Sequence, residues 1–366
     1  MLSPNKVKEK ALKALFARKL IEKGWLTVLL GYLAKESELK VKLRYIGDVT
    51  LQRTDFEILA THAYYTAKCW PELPEELARA AGGLLEPQDA LSWLVRVLPL
   101  ASYACDKLRS LGKNVLITVN TERATLKFNE GSVAFRPLSL NFSIVETFLE
   151  GVYDIPEVLS GLKGREVIDV GANVGDTALY FILHGARKVI AVEPLPNAAK
   201  YIEENATLNG VSDKVRVVSA ALSSKPASVP CDYDILLSGG FSTLKGEGLC
   251  VVPSVTLGDL LNMVDDPYLL KMDCEGCEAQ VILGPERERL RAFEHIIFET
   301  HPYITGVSDE KLLASLKELG FECRLHRGEA RGARGRKGCS FECRLHRALS
   351  QKVELNIYHC KNSKPR

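Results

Sequence analysis

The chain has 366 residues and a formal net charge of +2, and it is 46% hydrophobic and 26% charged. This length predicts about two domains, each with enough apolar residues for a core, which excludes a chain that is disordered throughout. The best candidate for a membrane span, residues 91–104, contains Arg96 and Pro99, so we expect no transmembrane helix.

The N-terminal residues and the number of cysteines indicate the cellular compartment in which the protein is expected. The lysines near the start are not followed by an apolar run with a small-residue cleavage site, so we expect a cytoplasmic protein. Ten cysteines are too few for a disulfide scaffold of this length. In a reducing compartment, unpaired thiols are the expected state.

Charge is distributed unevenly along the chain. Residues 1–24 hold 7 Lys or Arg against 2 Asp or Glu, and residues 321–366 hold 12 against 4, which leaves an acidic body between two basic ends. The first segment predicts a basic amphipathic helix that Ser3 caps and Gly24 ends. Its lysines are interpreted either as the solvated face of a packed helix or as a surface for anionic lipid or nucleic acid.

Residues 1–140 are predicted to be a mostly helical region that includes a small β-meander. Apolar spacing predicts helices over residues 55–67 and 74–81, and Gly82-Gly83 predicts a break after the second. Three alternating, β-rich segments predict the meander at residues 115–119, 124–128 and 132–136. We expect this region to cover the crevice of the following domain and to select its substrate.

Residues 141–366 are predicted to form a second domain, in which short apolar strands alternate with helices. The predicted parallel strands are residues 166–170, 188–192, 215–219, 269–272 and 295–299. Predicted helices cover residues 175–184, 197–209 and 309–319. The sixth predicted strand begins at Phe321, and the seventh covers residues 353–359. This rhythm predicts a doubly wound α/β domain whose ligand lies at the carboxyl ends of the strands.

A heptapeptide repeat lies near the end of the chain. The sequence of residues 321–327 recurs letter for letter at residues 341–347, and the Gly- and Arg-rich residues 328–340 between the copies predict a loop. We interpret the repeat as a tandem duplication or an error in the gene sequence, with one copy forming the penultimate strand. An arginine-rich patch for nucleic acid is the alternative.

A glycine turn follows the first predicted parallel strand. In Asp169-Val-Gly171-Ala-Asn173-Val-Gly175, an acid ends the strand and two glycines lie four residues apart before a helix. Such a turn lets a ligand approach the backbone closely, and the helix start offers free N–H groups to an anion. Glu193 ends the second strand, where an acid can accept hydrogen bonds from both hydroxyls of a ribose. Together these features predict a cofactor that carries a nucleoside.

With a third motif, these residues resemble a known family. Residues 270–278, Leu-Lys-Met-Asp-Cys-Glu-Gly-Cys-Glu, are similar to the Asp-x-Glu-Gly-x-Glu signature of the FkbM-type methyltransferases, which belong to the S-adenosylmethionine-dependent class I methyltransferases. The glycine turn resembles the first motif of that family. The resemblance implies a Rossmann-like doubly wound sheet of seven strands and S-adenosylmethionine as the cofactor.

The resemblance also implies which residues contact the cofactor. The implied set is Asp169, Gly171, Asn173, Gly175, Asp176, Thr177, Glu193, Ala221 and Leu222. In this set the glycine turn would line the methionine and ribose, Glu193 would hold the ribose, and Ala221 and Leu222 would flank the adenine. Asp273 would lie beside the transferable methyl group.

Acidic residues and one histidine are the candidates for catalysis. An alcohol oxygen must lose its proton during methyl transfer, and Asp273, Glu275 or Glu278 can act as the base, since mutual repulsion raises the pKa of at least one close carboxylate. His301, after the fifth strand, is a candidate substrate binder or base. Alternatively, Asp273 and Glu299 bind a divalent cation, or Glu275 and Glu278 merely cap the next helix.

Cys274 and Cys277 form a C-x-x-C sequence inside the acidic motif. Such a pair is compatible with redox chemistry or with half of a zinc site. The chain has no second C-x-x-C and the family motif already explains the spacing, so we predict neither function and assign no metal site.

The sequence therefore predicts a methyltransferase that acts on a hydroxyl group of a sugar, a glycan or another small molecule. One alternative is an RNA or DNA methyltransferase guided by the basic ends, for which aromatic residues among the arginines are expected. Residues 328–337 contain no aromatic residue, so we expect no nucleic-acid partner. The other alternative is a non-catalytic module that binds the cofactor.

Overall fold

Two units make up the protein, Met1–Val145 and Glu146–Arg366. The residues described by the computed structural model are 13, 15–224, 227–229, 250–327 and 356–363. None of the helices in this part of the chain has the length and apolar character that a bilayer crossing requires. Ser3, the predicted cap of the first helix, and the predicted loop at residues 328–340 lie outside the described residues.

The N-terminal unit contains more β-structure than its sequence predicts. Its strands are β1 (Ile21–Lys23), β2 (Glu38–Leu43), β3 (Gly47–Gln52), β4 (Leu116–Val119), β5 (Ala124–Phe128) and β6 (Gly131–Phe135). Its helices after β1 are α1 (Trp25–Leu33), α2 (Arg53–Thr66), α3 (Leu73–Leu84), α4 (Pro87–Leu111) and α5 (Phe142–Ile144), with a 3-10 turn at Pro137–Ser139. Strands β1 to β3 form one antiparallel sheet, and β4 to β6 form the meander at the predicted place.

Two helical predictions in this unit are wrong. The first helix does not continue to Gly24, because Ile21 is buried and pairs with Leu43 of β2 as part of strand β1. Residues 38–52, which fall in a stretch predicted to be mostly helical, form the hairpin of β2 and β3. The three buried side chains of β2 are Leu39, Val41 and Leu43. They alternate with polar residues, which is a strand period rather than a helical one.

The predicted break at Gly82-Gly83 is also wrong, because α3 continues through both glycines to Leu84. A Cβ atom on Gly82 would lie 1.9 Å from the backbone oxygen of Tyr45, in the hairpin turn. A glycine in a helix costs about 1 kcal/mol relative to alanine. Here it is required because the backbone of the hairpin passes too close for any side chain.

The expectation of unpaired thiols is wrong for the described cysteines. Disulfides join Cys69 to Cys105, Cys274 to Cys277 and Cys323 to Cys360, and Cys250 is disulfide-bonded as well. Pairing follows proximity in the fold, which sequence spacing does not reveal. Cys69 and Cys105, for example, are 36 residues apart, and their Cα atoms lie 5.7 Å from each other.

The C-terminal unit contains the predicted seven-stranded sheet. In spatial order its strands are β16 (Phe321–Arg327), β17 (Ile357–Asn362), β15 (His295–Glu299), β14 (Pro267–Met272), β7 (Glu166–Val170), β8 (Lys188–Val192) and β9 (Val215–Val218). Strands β15, β14, β7, β8 and β9 are parallel, and β17 is antiparallel to both of its neighbours. The direction of winding reverses between β7 and β14, which opens a crevice at the carboxyl ends of these two strands.

Helices cover both faces of this sheet, so the predicted doubly wound fold is confirmed. The helices are α6 (Pro156–Gly161), α7 (Asp176–Leu183), α8 (Pro196–Leu208), α9 (Leu257–Leu261), α10 (Cys277–Leu283), α11 (Pro302–Thr305) and α12 (Asp309–Glu318), with a π-helix at Val145–Glu150 and a 3-10 helix at Arg287–Ala292. Val167 of β7 packs in the core with α6, α7 and α8, whereas Ile168 and Val170 pack in the core with α9, α10 and α12. Burial on both faces explains why the central strands are mainly apolar, apart from the paired Asp169 of β7 and Lys271 of β14.

Two short strand pairs follow β9 in the chain. Strand β10 (Ala221–Leu222) pairs in parallel with β13 (Ser254–Val255), and β11 (Ala227–Val229) pairs antiparallel with β12 (Cys250–Val252). The pairing of β10 with β13 holds the segment after β9 close to the start of α9.

The first copy of the heptapeptide is the penultimate strand, as predicted. It forms β16, in which Cys323 lies opposite Cys360 of β17 and is bonded to it. The second copy, residues 341–347, lies outside the described residues. Strand β17 begins at Ile357, four residues later than the sequence predicts, and residues 353–355 are not among the described residues.

Candidate active site

The glycine turn between β7 and α7 forms the floor of the crevice. The backbone N–H groups of Gly171 and Ala172 both donate to the oxygen of Val192 at the end of β8, at 2.9 and 3.1 Å. Gly171, Asn173 and Gly175 have φ values of 74°, 49° and 86°. A Cβ atom on Gly171 would lie 1.8 Å from the backbone oxygen of Asp273. The turn therefore packs directly against the start of the acidic motif.

Replacing Gly171 with alanine is expected to destabilise the protein by about 2–3 kcal/mol, because the new methyl group meets backbone and the residue is held at positive φ. Urea unfolding measures this loss. The matched control is Gly210→Ala, since Gly210 has a similar φ of +67° and a Cβ atom there would have nothing within 4 Å. It should lose only about 1 kcal/mol. Equal losses in both variants would contradict the close packing at Gly171.

Glu193 lies at the end of β8 and is joined to the glycine turn. Its Oε2 accepts a hydrogen bond from the Asn173 N–H, and its Oε1 accepts one from the Leu195 N–H, both at 2.9 Å. The side chain is 5% exposed, and burial raises its pKa to about 7. The structure thus brings together two predicted cofactor residues from different strands, and each carboxylate oxygen of Glu193 keeps a further lone pair for a ligand.

Asp169 and Lys271 form a buried ion pair beneath the turn. The two charged atoms lie 3.0 Å apart, and both side chains are almost fully enclosed. Lys271 Nζ also donates to the backbone oxygen of Gly171 at 2.8 Å. Burial acts to lower the pKa of Lys271, but the charge of Asp169 and further carboxylates outweigh it and raise the pKa. Sequence reasoning missed Lys271, although a lysine within the apolar strand Leu-Leu-Lys-Met is a signal for a buried partner.

The remaining residues of the turn stabilise the start of α7. The Thr177 hydroxyl donates to Asp169 at 2.6 Å, and the Thr147 hydroxyl donates to Asp176 at 2.6 Å. All four of these side chains are buried. The structure therefore places the side chains of Asp169, Asp176 and Thr177 below the turn, where they fix its shape.

An apolar cavity adjoins the turn on the side of β8. It is lined by Val170, Gly171, Val192, Pro194, Ala220, Ala221, Leu222, Cys274 and Cys277. Ala221 and Leu222, which the sequence predicts to flank an adenine, are both part of this wall. Ala221 and Leu222 therefore line the same cavity as Gly171 of the glycine turn, although they follow a different strand.

Acids surround His301 on the other side of the crevice. His301 Nδ1 lies 3.0 Å from Glu278 Oε1, and its Nε2 lies 3.5 Å from Glu275 and 3.9 Å from Asp273. Burial acts to lower the pKa of His301, but the hydrogen bond to Glu278 and the nearby charges raise it to about 9. His301 is therefore an imidazolium at neutral pH, which suits a role in holding the carboxylates rather than in accepting a proton.

Burial also raises the pKa of two carboxyl groups near His301 and Asp273, those of Glu299 and Glu146. Burial raises the pKa of Glu299 well above its usual value, and the charges of Asp273 and Glu146 add to this. Burial, followed by the charges of Asp273 and Glu150, raises the pKa of Glu146 to about 8. Glu146 belongs to the π-helix that begins this unit, and no motif in the sequence singled it out.

The acidic motif presents its residues differently. Asp273 follows β14 with its side chain 33% exposed, whereas Glu278 is fully buried and accepts a hydrogen bond from the Gly276 N–H at 3.0 Å. Glu275 is buried and accepts a hydrogen bond from the Tyr303 hydroxyl at 2.9 Å. Of these three acids, Asp273 is the one most open to a molecule in the crevice.

Among the residues that the structure describes, two groups of side chains have spacings that suit a metal ion. Ligand atoms of Asp273, Glu299 and His301 all lie within 4.8 Å of one another, as do those of Cys274, Cys277 and Glu278. In the second group the two sulfurs are bonded to each other, which leaves no thiolate for a metal. A cation at the first group remains a prediction.

Comparisons with known proteins agree on methyl transfer. Residues 169–323 match the family model of the methyltransferase FkbM domain. The chain is 25% identical over 231 residues to methyltransferase sdnD of Sordaria araneosa, which corresponds to 54% of this chain and 87% of that protein.

Solved structures show only distant likeness. Cofactor-bound Rv0187 from MTB is 13% identical, with 57% of this chain and 77% of that chain covered and a TM-score of 0.32. TrmK of M. capricolum, in complex with S-adenosyl-homocysteine, is 8% identical, with 62% and 70% covered and a TM-score of 0.32. Likeness at this level carries no argument about this chain.

Proposed function

We propose that this chain, whose residues 169–323 match the family model of the methyltransferase FkbM domain, transfers a methyl group from S-adenosylmethionine to a hydroxyl oxygen of a sugar, a glycan or another small molecule. The observation that carries the proposal is the meeting of Glu193, the glycine turn and Asp273 at one edge of the sheet. Methyl transfer follows from the family, and the nature of the acceptor is the part that we propose.

The crevice fits a methyl donor that carries an adenosine. Glu193 offers two acceptor oxygens for ribose hydroxyls, and the apolar cavity at Ala221 and Leu222 suits an adenine ring. When bound, S-adenosylmethionine supplies an electrophilic methyl group on a sulfonium. The residues of the turn would bind and orient it.

Asp273 is the proposed proton acceptor for the hydroxyl group. It is the most exposed acid of its motif, and it lies at the end of β14, next to the glycine turn. Methyl transfer is an in-line displacement, so much of the rate depends on holding the nucleophile about 3 Å from the methyl carbon. The His301 imidazolium, 3.9 Å from Asp273, would hold this carboxylate in place.

The charge of the crevice favours an uncharged acceptor over a nucleic acid. Asp273, Glu275, Glu299 and Glu146 interact electrostatically with one another at this edge. Carboxyl groups, with or without a proton, supply none of the positive charge through which phosphates give a protein most of its affinity for RNA or DNA. Hydroxyl-rich acceptors instead find hydrogen-bond partners there.

Replacing Glu193 with alanine is expected to weaken S-adenosylmethionine binding about 50-fold, because the two hydrogen bonds that its carboxyl group would accept from the ribose hydroxyls are lost. Calorimetric titration measures the affinity. Glu203→Ala, at an exposed glutamate of α8 in the same unit, is the matched control and should bind like the wild type. Negligible heat with the wild-type protein would overturn the proposal.

Methyl transfer to fractions of a cell extract then tests the acceptor class, and binding without any transfer would favour the non-catalytic module.

A further inference from the structure

The loop between β14 and α10 contains a disulfide that the proposed reaction does not use. Cys274 and Cys277 are bonded to each other, with Cα atoms 5.5 Å apart. The bond closes a small ring around Glu275 and Gly276, inside the acidic motif. It therefore lies between the two functional parts of the crevice.

On one side the disulfide is part of the proposed cofactor pocket. Both cysteines line the apolar cavity together with Ala221 and Leu222. Because Gly171 packs against the backbone of Asp273 and Cys274, a shift of this loop also moves the wall that faces the glycine turn.

On the other side the disulfide constrains an acid of the crevice. Glu275 and Gly276, the two residues inside the ring, have φ values of 53° and 114°. A left-handed backbone is unfavourable for a glutamate, so it persists only where the surroundings impose it. In this conformation Glu275 accepts the hydrogen bond from Tyr303 and lies 3.5 Å from His301.

The two sulfurs differ in access. Cys274 is partly exposed, whereas Cys277 is only 4% exposed. Thiol–disulfide exchange begins with attack of a thiolate on a sulfur that it can reach. Cys274 is thus the point of attack, and Cys277 is the leaving group.

We propose that the Cys274–Cys277 disulfide is a reversible redox site that reacts with a dithiol reductant, and that its reduction weakens cofactor binding. This inference rests on the proposed function. The reductant's thiolate bonds to the Cys274 sulfur as the S–S bond breaks, and Cys277 leaves as a thiolate that takes up a proton. The second thiol of the reductant then releases Cys274 as a thiol, so that two electrons pass to the protein and the reductant becomes a disulfide.

Reduction removes the ring and adds a competing hydrogen-bond donor. Without the ring, Glu275 is free to leave the left-handed conformation, and the loop against Gly171 loosens. Glu278 Oε2 lies 3.4 Å from the Cys274 sulfur. After reduction, the Cys274 thiol can therefore donate to this oxygen, which already accepts the hydrogen bond from the Gly276 N–H. We expect an affinity loss of about tenfold, a typical size for coupling between two sites.

The test compares S-adenosyl-homocysteine binding, by calorimetry, to oxidised protein and to protein reduced with dithiothreitol. Thiol labelling followed by mass spectrometry reports which cysteines are reduced under native conditions. Wild type is expected to lose about tenfold in affinity on reduction. Cys69→Ser/Cys105→Ser removes a disulfide of the other unit and should keep this redox response. Cys274→Ser/Cys277→Ser should lack the response and bind like the reduced wild type.

Several results would overturn the inference. These are equal wild-type affinity in both states with Cys274 and Cys277 labelled as thiols, resistance of this bond to dithiothreitol in the folded protein, or a redox response that survives in Cys274→Ser/Cys277→Ser. The wild-type comparison stands alone if that variant fails to fold by circular dichroism. Failure of every form to bind in either state would instead refute the proposed function.

Discussion

Asp273→Asn is expected to lower the rate of methyl transfer about 1,000-fold, within the range that loss of a general base produces. The amide keeps the size of the side chain and its place after β14, but it cannot take a proton from the acceptor. Affinity for S-adenosyl-homocysteine should change by less than about threefold, because a residue that acts only as the base contributes to the reaction step and not to cofactor binding. Transfer of a labelled methyl group to the acceptor fraction and calorimetry measure the two quantities separately.

The matched control for this variant is Asp213→Asn, at an exposed aspartate of the same unit. It should transfer methyl groups like the wild type. If Asp273→Asn keeps its rate, then Asp273 is not the base, and Glu275 and Glu146 become the next residues to replace. If instead both rate and affinity collapse, Asp273 acts mainly by contacting the cofactor.

Lys271→Met should destabilise the protein by about 3–5 kcal/mol, the usual loss when one partner of a buried ion pair is removed. The carboxylate of Asp169 would then be fully buried beside no positive charge, and the backbone oxygen of Gly171 would lose its donor. Methionine retains most of the side-chain volume, so the loss reflects charge rather than a cavity. Urea unfolding monitored by circular dichroism gives the change in free energy.

Two comparisons separate this effect from a general loss of packing. Lys200→Met removes an exposed lysine that lies 3.7 Å from Glu204 on α8 and should change stability by less than about 1 kcal/mol. Asp169→Asn combined with Lys271→Met removes both charges and should recover part of the lost stability. If Lys271→Met alone is as stable as the wild type, the ion pair does not stabilise the fold.

The central strands could be predicted from sequence because their signals are local. Burial on both faces makes β7, β8 and β15 short and mainly apolar, and a glycine or an acid follows or ends each of them, so their predicted bounds match the structure. The sequence does not predict the hairpin of β2 and β3, because its short alternating stretch lies within a longer stretch of helical pattern. Gly82 was misinterpreted because its reason, the backbone of Tyr45, lies 37 residues away in the chain.

Much of the candidate site could likewise be identified from motifs, but its chemistry could not. The positions of Glu193, the glycine turn and Asp273 follow from strand ends meeting at one edge. The raised pKa values of His301 and Glu299 do not follow from the sequence, because they depend on which carboxyl groups the fold brings near each other. Lys271 and the Cys274–Cys277 bond were missed for the same reason, since each depends on a partner that spacing alone does not identify.

The ion pair of Asp169 and Lys271 has a consequence for how a ligand is received. Its ammonium group holds the Gly171 carbonyl from below, so contacts within the protein itself give the turn its shape. A preorganised site loses little conformational entropy on binding, and more of the contact energy is retained as affinity. We therefore expect the glycine turn to keep the same conformation when a ligand binds.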